Sequence, residues 1–331
     1  MTNHHSAGQW TTPASTSSII RGRGKPVDTV DAVDTVDTVD YRATMVHLLL
    51  VSLIWAASPG LLKHELAGVP SSAISVMRLA LTALMFAPWL RLRAGTGLSL
   101  VVVGQLLAIG AVQFGLMYLL YLRAFAHLQA HEVFIFTALT PIFVVAVDGL
   151  WQRRIAARHV VAAVLGVVGA VVIMPRGEST ASVVEGFLLV QGANLCFALG
   201  QVAYRRVRPG LAAAEHQVFA WLALGGFIAT VVVAAPITSW QTLPALLTPQ
   251  HLVVIAFLGV VSSGVGFFVW NSGLRRVNAG TLAVFNNAKI PLGVLVSVIV
   301  FQEMADPARL TASMLLLGLG VWMAAPTAAT D

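Results

Sequence analysis

FTALTPIFVVAV, Phe136 to Val147, and NNAKIPLGVLVS, Asn286 to Ser297, carry a proline at matching places, Pro141 and Pro291, 150 positions apart. At the same offset Gln152 in GLWQRR falls on Gln302 in VFQEM. The segments before the prolines also pair without an internal gap, YLRAFAHLQAHEVFIF against WNSGLRRVNAGTLAVF. Further upstream, IWAASPGLLKH resembles CFALGQVAYRR. The chain therefore reads as two related halves.

What those halves are made of follows from composition. The 331 residues are 57% hydrophobic and 10% charged, against roughly 25% charged in soluble domains. Apolar runs of about 20 residues, the length that crosses a bilayer, recur throughout. Ten spans are expected at roughly 45–62, 72–90, 99–122, 130–150, 159–175, 184–204, 216–236, 251–272, 279–302 and 308–326. The net charge of +6 is not read as a nucleic-acid footprint, because the arginines cluster between apolar runs. Loops after even-numbered spans hold ten of them: Arg91, Arg93, Arg153, Arg154, Arg158, Arg205, Arg206, Arg208, Arg275 and Arg276. Loops after odd-numbered spans hold four basic residues, Lys63, Arg123, Arg176 and Arg309. Positive loops stay inside, so both termini are expected to be cytoplasmic. Five spans per half is an odd number, so the second half is inverted relative to the first. The expected fold is an all-α integral membrane protein of ten transmembrane helices, built as two inverted five-helix repeats over 44–175 and 183–326.

Residues 1–43 differ. GRGKPVDTVDAVDTVDTVDY repeats Val-Asp every three residues, with Asp28, Asp31, Asp34, Asp37 and Asp40. It offers no face to bury and reads as a disordered cytoplasmic tail. No short apolar core with a cleavage site precedes the first span, so it is not read as a signal peptide. Cys196 is the single cysteine, which excludes an intrachain disulfide and a cysteine-based metal site.

Ten spans, Trp55 in the first, Arg78 early in the second, a proline midway through spans four and nine, and a glycine-rich fifth span resemble the EamA family of the drug/metabolite transporter superfamily. The resemblance covers about 45–326. It implies a multi-pass carrier of the bacterial inner membrane for amino acids, amines, carboxylates or related metabolites, often an exporter. One position departs. Many members carry a glutamate just after span four, where this chain has Arg153. The second-half counterpart, Glu303, is present.

Lys289 stands out among the residues that could carry chemistry. It lies about 15 Å from either end of its span at 1.5 Å per residue, beyond the reach of snorkelling. A central charge costs about 2.5–3.5 kcal/mol even on lenient scales. Asn286 shares its helical face, and Pro291 cannot donate to the carbonyl of Asn287, leaving an acceptor nearby. Ammonium, amides of Asn286 and Asn287, and carbonyl could cradle a carboxylate or phosphate. The alternative is that Lys289 bonds only carbonyls and locks a kink. The first half has Phe136, Thr137 and Leu139 in place of Asn286, Asn287 and Lys289, so a binding site is expected to lean on the second half. Gln191 and Asn194 on span six, Trp270 and Asn271 on span eight, and Tyr118 and Tyr121 on span three are further candidate cavity lining. For each of these, helix–helix hydrogen bonding is the competing role. Pro141 and Pro291 are candidate hinges. Arg78 and Asp148 are candidate gating or structural charges, with Arg153 and Arg154 in reach of Asp148.

Among function classes, a secondary carrier working by alternating access fits best, since inverted repeats place a substrate site near the midplane. No Walker A pattern occurs, and no carboxylate sits at the midplane, so neither ATP drive nor a membrane-embedded acidic proton relay is encoded. The alternative is a non-transport membrane protein, an intramembrane enzyme or a sensor. His131-Glu132 lacks the second histidine of a zinc-binding H-E-x-x-H helix, and no nucleophile–base set joins His47. The expected partners are a small-molecule substrate and the lipid bilayer, with no cofactor and no nucleic acid, for a monomer or homodimer.

Overall fold

A computed structural model describes residues 29–91, 97–153, 180–273, 276–277, 279–304 and 306–324, with isolated positions between 161 and 172. Among the described residues the long elements are all helices. We number them α1 (Ala43–Glu65), α2 (Ser71–Trp89), α3 (Leu100–Ala124), α4 (Ala130–Trp151), α5 (Ala181–Gly210), α6 (Glu215–Ala234), α7 (Pro249–Gly273), α8 (Ala279–Ile299) and α9 (Pro307–Ala324). The first seven are long and apolar enough to cross a membrane, and the described apolar part of α8 is shorter, Phe285–Ile299. These helices correspond to spans one to four and six to ten of the sequence. Span five, with its Ala162, Gly166 and Ala170 stripe, lies outside the described residues except for isolated helical positions. Residues 29–40 are helical within the stretch expected to be disordered. No proline or glycine interrupts the chain from Val27 to Ser58, so nothing there breaks a helix. Residues 1–28 lie outside the described residues.

Local chemistry starts the helices. Ser99 accepts a hydrogen bond from the Val102 N–H at 3.3 Å ahead of α3. The Glu132 carboxylate accepts from the Gln129 N–H at 2.8 Å ahead of α4. Thr248 accepts from the His251 N–H at 3.2 Å, with Pro249 at the first helical position of α7. Each satisfies a donor that a helix start leaves open. Large apolar side chains such as Leu50, Leu84, Val232 and Val253 face outward, while Ser52, Arg78, Gln113 and Ser262 are buried. That arrangement suits a lipid exterior.

Among the described residues, several helix contacts recur between matching segments of the two sequence repeats. α2 packs on α6 and α4 on α8, each against its own counterpart; α3 packs on α6 as α7 packs on α2. Small residues allow the closest approaches. A Cβ at Gly110 of α3 would meet the Leu222 carbonyl of α6, and one at Gly225 of α6 would meet the Leu107 carbonyl of α3. Gly259 of α7 does the same against Arg78 and Leu81 of α2.

Several irregularities shape the helices, among them a π-helical stretch at the end of α1, Leu61–Glu65. α3 and α7 each contain a π-helical stretch, Ala111–Leu116 and Phe257–Val265. Such turns widen a helix and redirect its carbonyls. α4 is interrupted at Ala138–Leu139, between helical segments Ala130–Thr137 and Thr140–Trp151, because Pro141 cannot donate to the carbonyl four residues back. α8 stays helical through Pro291.

Candidate functional site

A cavity lies at the centre of the helices, with a volume of about 90 Å³. Ligand pockets run to roughly 300–1,000 Å³, so this cavity is smaller than most. Its lining comes from seven helices. α1 supplies Trp55 and Ser58, α2 Arg78, and α3 Met117, Tyr118 and Tyr121. α4 supplies Phe134, Thr137 and Thr140, α5 Ala193, Asn194 and Phe197, α7 Ser262 and Phe267, and α8 Asn286 and Lys289. None of these lining residues is acidic.

Lys289 Nζ stands 5.0 Å from the centroid of the Trp55 ring, within cation–π range. Its hydrogen bond goes to Asn286 Oδ1 at 3.4 Å rather than to a backbone carbonyl. One long bond leaves most of the donor capacity of an ammonium unused. Trp55 is held from its other edge. Its indole N–H donates to the Ser262 carbonyl at 2.9 Å, an acceptor within the π-helical stretch of α7. Phe267 and Trp270 pack against it, at 4.9 and 5.3 Å between centroids.

Arg78 is 2% exposed. Its Nε donates to Ser263 Oγ at 2.6 Å and its Nη2 to Ser262 Oγ at 3.0 Å. The guanidinium lies 4.3 Å over the Tyr118 ring, whose hydroxyl is 2.9 Å from Ser263 Oγ. Ser58 Oγ is 2.9 Å from Ser262 Oγ. The two serines of α7 thus tie α1, α2 and α3 together beside the cavity.

The first-half proline region is arranged differently. Thr140 Oγ1 lies 2.6 Å from the Thr137 carbonyl, the acceptor that Pro141 leaves open, and 2.9 Å from Asn194 Oδ1, its one proton shared between the two. Asn194 Nδ2 reaches the Phe136 carbonyl at 3.0 Å and Gln191 Oε1 at 3.0 Å. The freed acceptors of α4 are therefore served by hydroxyl and amide groups, not by a cation.

Of the residues singled out in the sequence, Lys289, Asn286, Asn194, Tyr118, Tyr121 and Arg78 come together at the cavity. The others do not line it. Gln191 sits behind Asn194 and donates to the Phe136 carbonyl at 3.4 Å. Asn287 Oδ1 accepts from Asn286 Nδ2 at 3.3 Å. Asn271 Oδ1 accepts from Gln113 Nε2 at 3.4 Å, and the Trp270 N–H donates to Gln201 at 3.4 Å. Asp148 pairs with Arg206 of α5 at 2.8 Å on an exposed face; Arg154 lies outside the described residues. Ser262, Ser58, Thr137 and Thr140 were missed. Their signal was weak: small hydroxyls in apolar runs, which equally serve helix packing.

A second polar cluster closes one end of the assembly. The Glu303 carboxylate, just after α8, accepts from the backbone N–H groups of Ala130 and His131 at 2.8 and 3.0 Å. His131 Nδ1 lies 2.6 Å from it and His64 Nε2 3.0 Å. Burial alone would raise this carboxyl; the hydrogen bonds from His131, Ala130 and His64 outweigh it and hold the group down at about 2. The start of α4 adds the favourable field of a helix N-terminus.

The chain is 36% identical to the biotin transporter of Escherichia coli (strain K12) over 282 residues, 84% of this chain and 92% of that one. It is 36% identical to the biotin transporter of Salmonella typhimurium over 293 residues, 86% and 96% of the two chains. A probable biotin transporter of Pseudomonas aeruginosa is 35% identical over 288 residues, 84% and 96%. A solved crystal structure shares the fold, with a TM-score of 0.60 at 19% identity over 85% of this chain and 97% of that one. The model of the EamA-like transporter family matches twice, over 43–174 and 184–325. The chain belongs to the EamA-like transporter family and is a membrane transporter of small molecules, not an enzyme.

Proposed function

We propose that this chain is a secondary carrier of biotin, moved by alternating access between two inverted five-helix halves, 44–175 and 183–326. In this reading ten helices cross the bacterial inner membrane with both termini cytoplasmic. Lys289 holds the carboxylate of the substrate, Asn286 assists, and the aromatic wall takes the apolar chain. The observation that carries the reading is the ammonium of Lys289, held over Trp55 with a single 3.4 Å partner, in a cavity whose lining has no carboxylate to neutralise it. A cation held at membrane depth favours an anionic cargo. The names of the relatives supply the rest, and biotin is a monocarboxylate with an apolar chain.

The test is flux of labelled biotin in proteoliposomes. Wild-type protein should give saturable counterflow, Lys289→Ala should abolish it, and Lys289→Arg should retain part of it. Wild-type-like saturable flux in Lys289→Met would remove the lysine from substrate recognition. Absence of counterflow by wild-type protein, with flux of another carboxylate, would replace biotin as cargo.

A further inference from the structure

Arg78 has more donor capacity than the fold uses. Nε and Nη2 are committed to Ser263 and Ser262, and the face of the guanidinium rests on Tyr118. Nη1 is buried and has no partner among the described residues, although the side chain lines the cavity. A buried charged N–H without an acceptor is costly, and such groups in native proteins mark a place where something else accepts. The remaining contacts hold the guanidinium in one orientation, so Nη1 is positioned in advance.

The location matters as much as the vacancy in its hydrogen bonding. Lys289 addresses the face of Trp55. Arg78 lies past the N–H edge of the same ring, on the Ser262 residue that receives the indole N–H. The two cations are thus linked to one indole, Lys289 directly and Arg78 through Ser262. The cavity they share also has apolar lining, with Phe267 packed on Trp55 and Phe197 and Met117 among the other lining residues.

We infer that Arg78 is a second anchor of the substrate site. Its Nη1 donates to a neutral carbonyl-type acceptor at the end of the cargo remote from the carboxylate. The site then selects a molecule with an anionic end, an apolar linker and a urea- or amide-like end. This rests on the biotin reading above and extends it, since biotin presents a ureido carbonyl in that place. Arg78 contributes specificity, while Lys289 contributes the response to the anion.

The experiment is ligand-induced thermal stabilisation of the purified full-length protein, titrated to a Kd. Three ligands separate the ends: biotin, pentanoate (carboxylate and chain only) and 2-iminobiotin, in which a cationic guanidinium replaces the urea. Wild-type protein should bind biotin about tenfold or more tighter than either analogue, the worth of a hydrogen bond to a charged donor. Arg78→Gln should bring biotin down to the level of pentanoate and leave pentanoate unchanged. Lys289→Gln should weaken both. Equal losses for biotin and pentanoate in Arg78→Gln would show a merely structural role and overturn the inference. So would 2-iminobiotin binding to wild-type protein as tightly as biotin, a result that needs no variant to fold. No stabilisation of wild-type protein by biotin overturns the biotin reading and this extension with it, and is distinguishable from the other two outcomes.

Discussion

Lys289 and Trp55 form a unit that neither residue makes alone. The ring face supplies a soft partner for the ammonium when no anion is bound, and the indole N–H fixes the ring by its bond to Ser262. Trp55→Phe keeps a face but loses the fixing bond, and should weaken biotin binding a few-fold. Trp55→Ala loses both and should weaken it more, read by the same thermal titration. Glu303 gives a prediction in pH. Its carboxyl is held at about 2 in the folded protein against an ordinary value of 4.5. A depressed pKa contributes stability above the ordinary value and loses it as pH falls toward the folded one. Thermal stability of the wild type should therefore fall as pH drops from about 4.5 toward 2. Glu303→Gln should melt lower at neutral pH and show a shallower decline across that window. An unchanged melting profile in the variant would mean the cluster contributes nothing.

At the level of elements, α3 and α6 touch backbone to backbone through Gly110 and Gly225. Side chains there cannot yield, because the obstructing atoms are carbonyls. Gly110→Leu should lower stability by at least about 1–3 kcal/mol, the range for overpacking, seen as reduced yield and melting temperature. Gly104→Leu on the same helix is the control, since nothing lies within 4 Å of a Cβ there, and it should be tolerated. The interruption of α4 makes a different prediction. In Pro141→Ala a backbone N–H returns and competes with Thr140 for the Thr137 carbonyl. That straightens the helix and withdraws Thr140 from Asn194. Initial rates of transport should fall more than affinity for biotin.

Across the whole molecule, α4 is tied to the second half at both its ends. Its start receives Glu303, in a buried cluster with His131 and His64, and its far end pairs Asp148 with Arg206 on an exposed face. Exposed pairs are screened by salt and worth little, while buried and multiply bonded ones resist. The Glu303 end should therefore be the firmer closure. With Cys196→Ala providing a cysteine-free background, a cysteine placed at Tyr121 reports access to the cavity. Glu303→Gln should raise its labelling by an impermeant thiol reagent several-fold, and Asp148→Asn should leave it near the wild-type level. Equal labelling in all three proteins would remove the cluster from gating.

Lys289 was legible because a charge deep in an apolar run must have a reason wherever the run packs. The paired prolines and the alternation of arginine-rich loops were legible because helix breaking and topology are properties of the chain taken in order. The partners of the polar residues were not. Asn271 meets Gln113, Trp270 meets Gln201, and Asn194 rather than Gln191 reaches the cavity. Hydropathy says that a residue lies in a span, not which way it faces. That facing is set by the azimuth of each packed helix, by the π-helical stretches of α3 and α7, and by glycines that let particular pairs of helices approach. Arg78 shows the division most sharply. The sequence by itself determined that an arginine stands inside a membrane span, and only the tertiary structure decided that two serines and a tyrosine occupy it while Nη1 is left buried with no partner among the described residues. Those partners come from other helices, and their registers against α2 are fixed only when the halves pack.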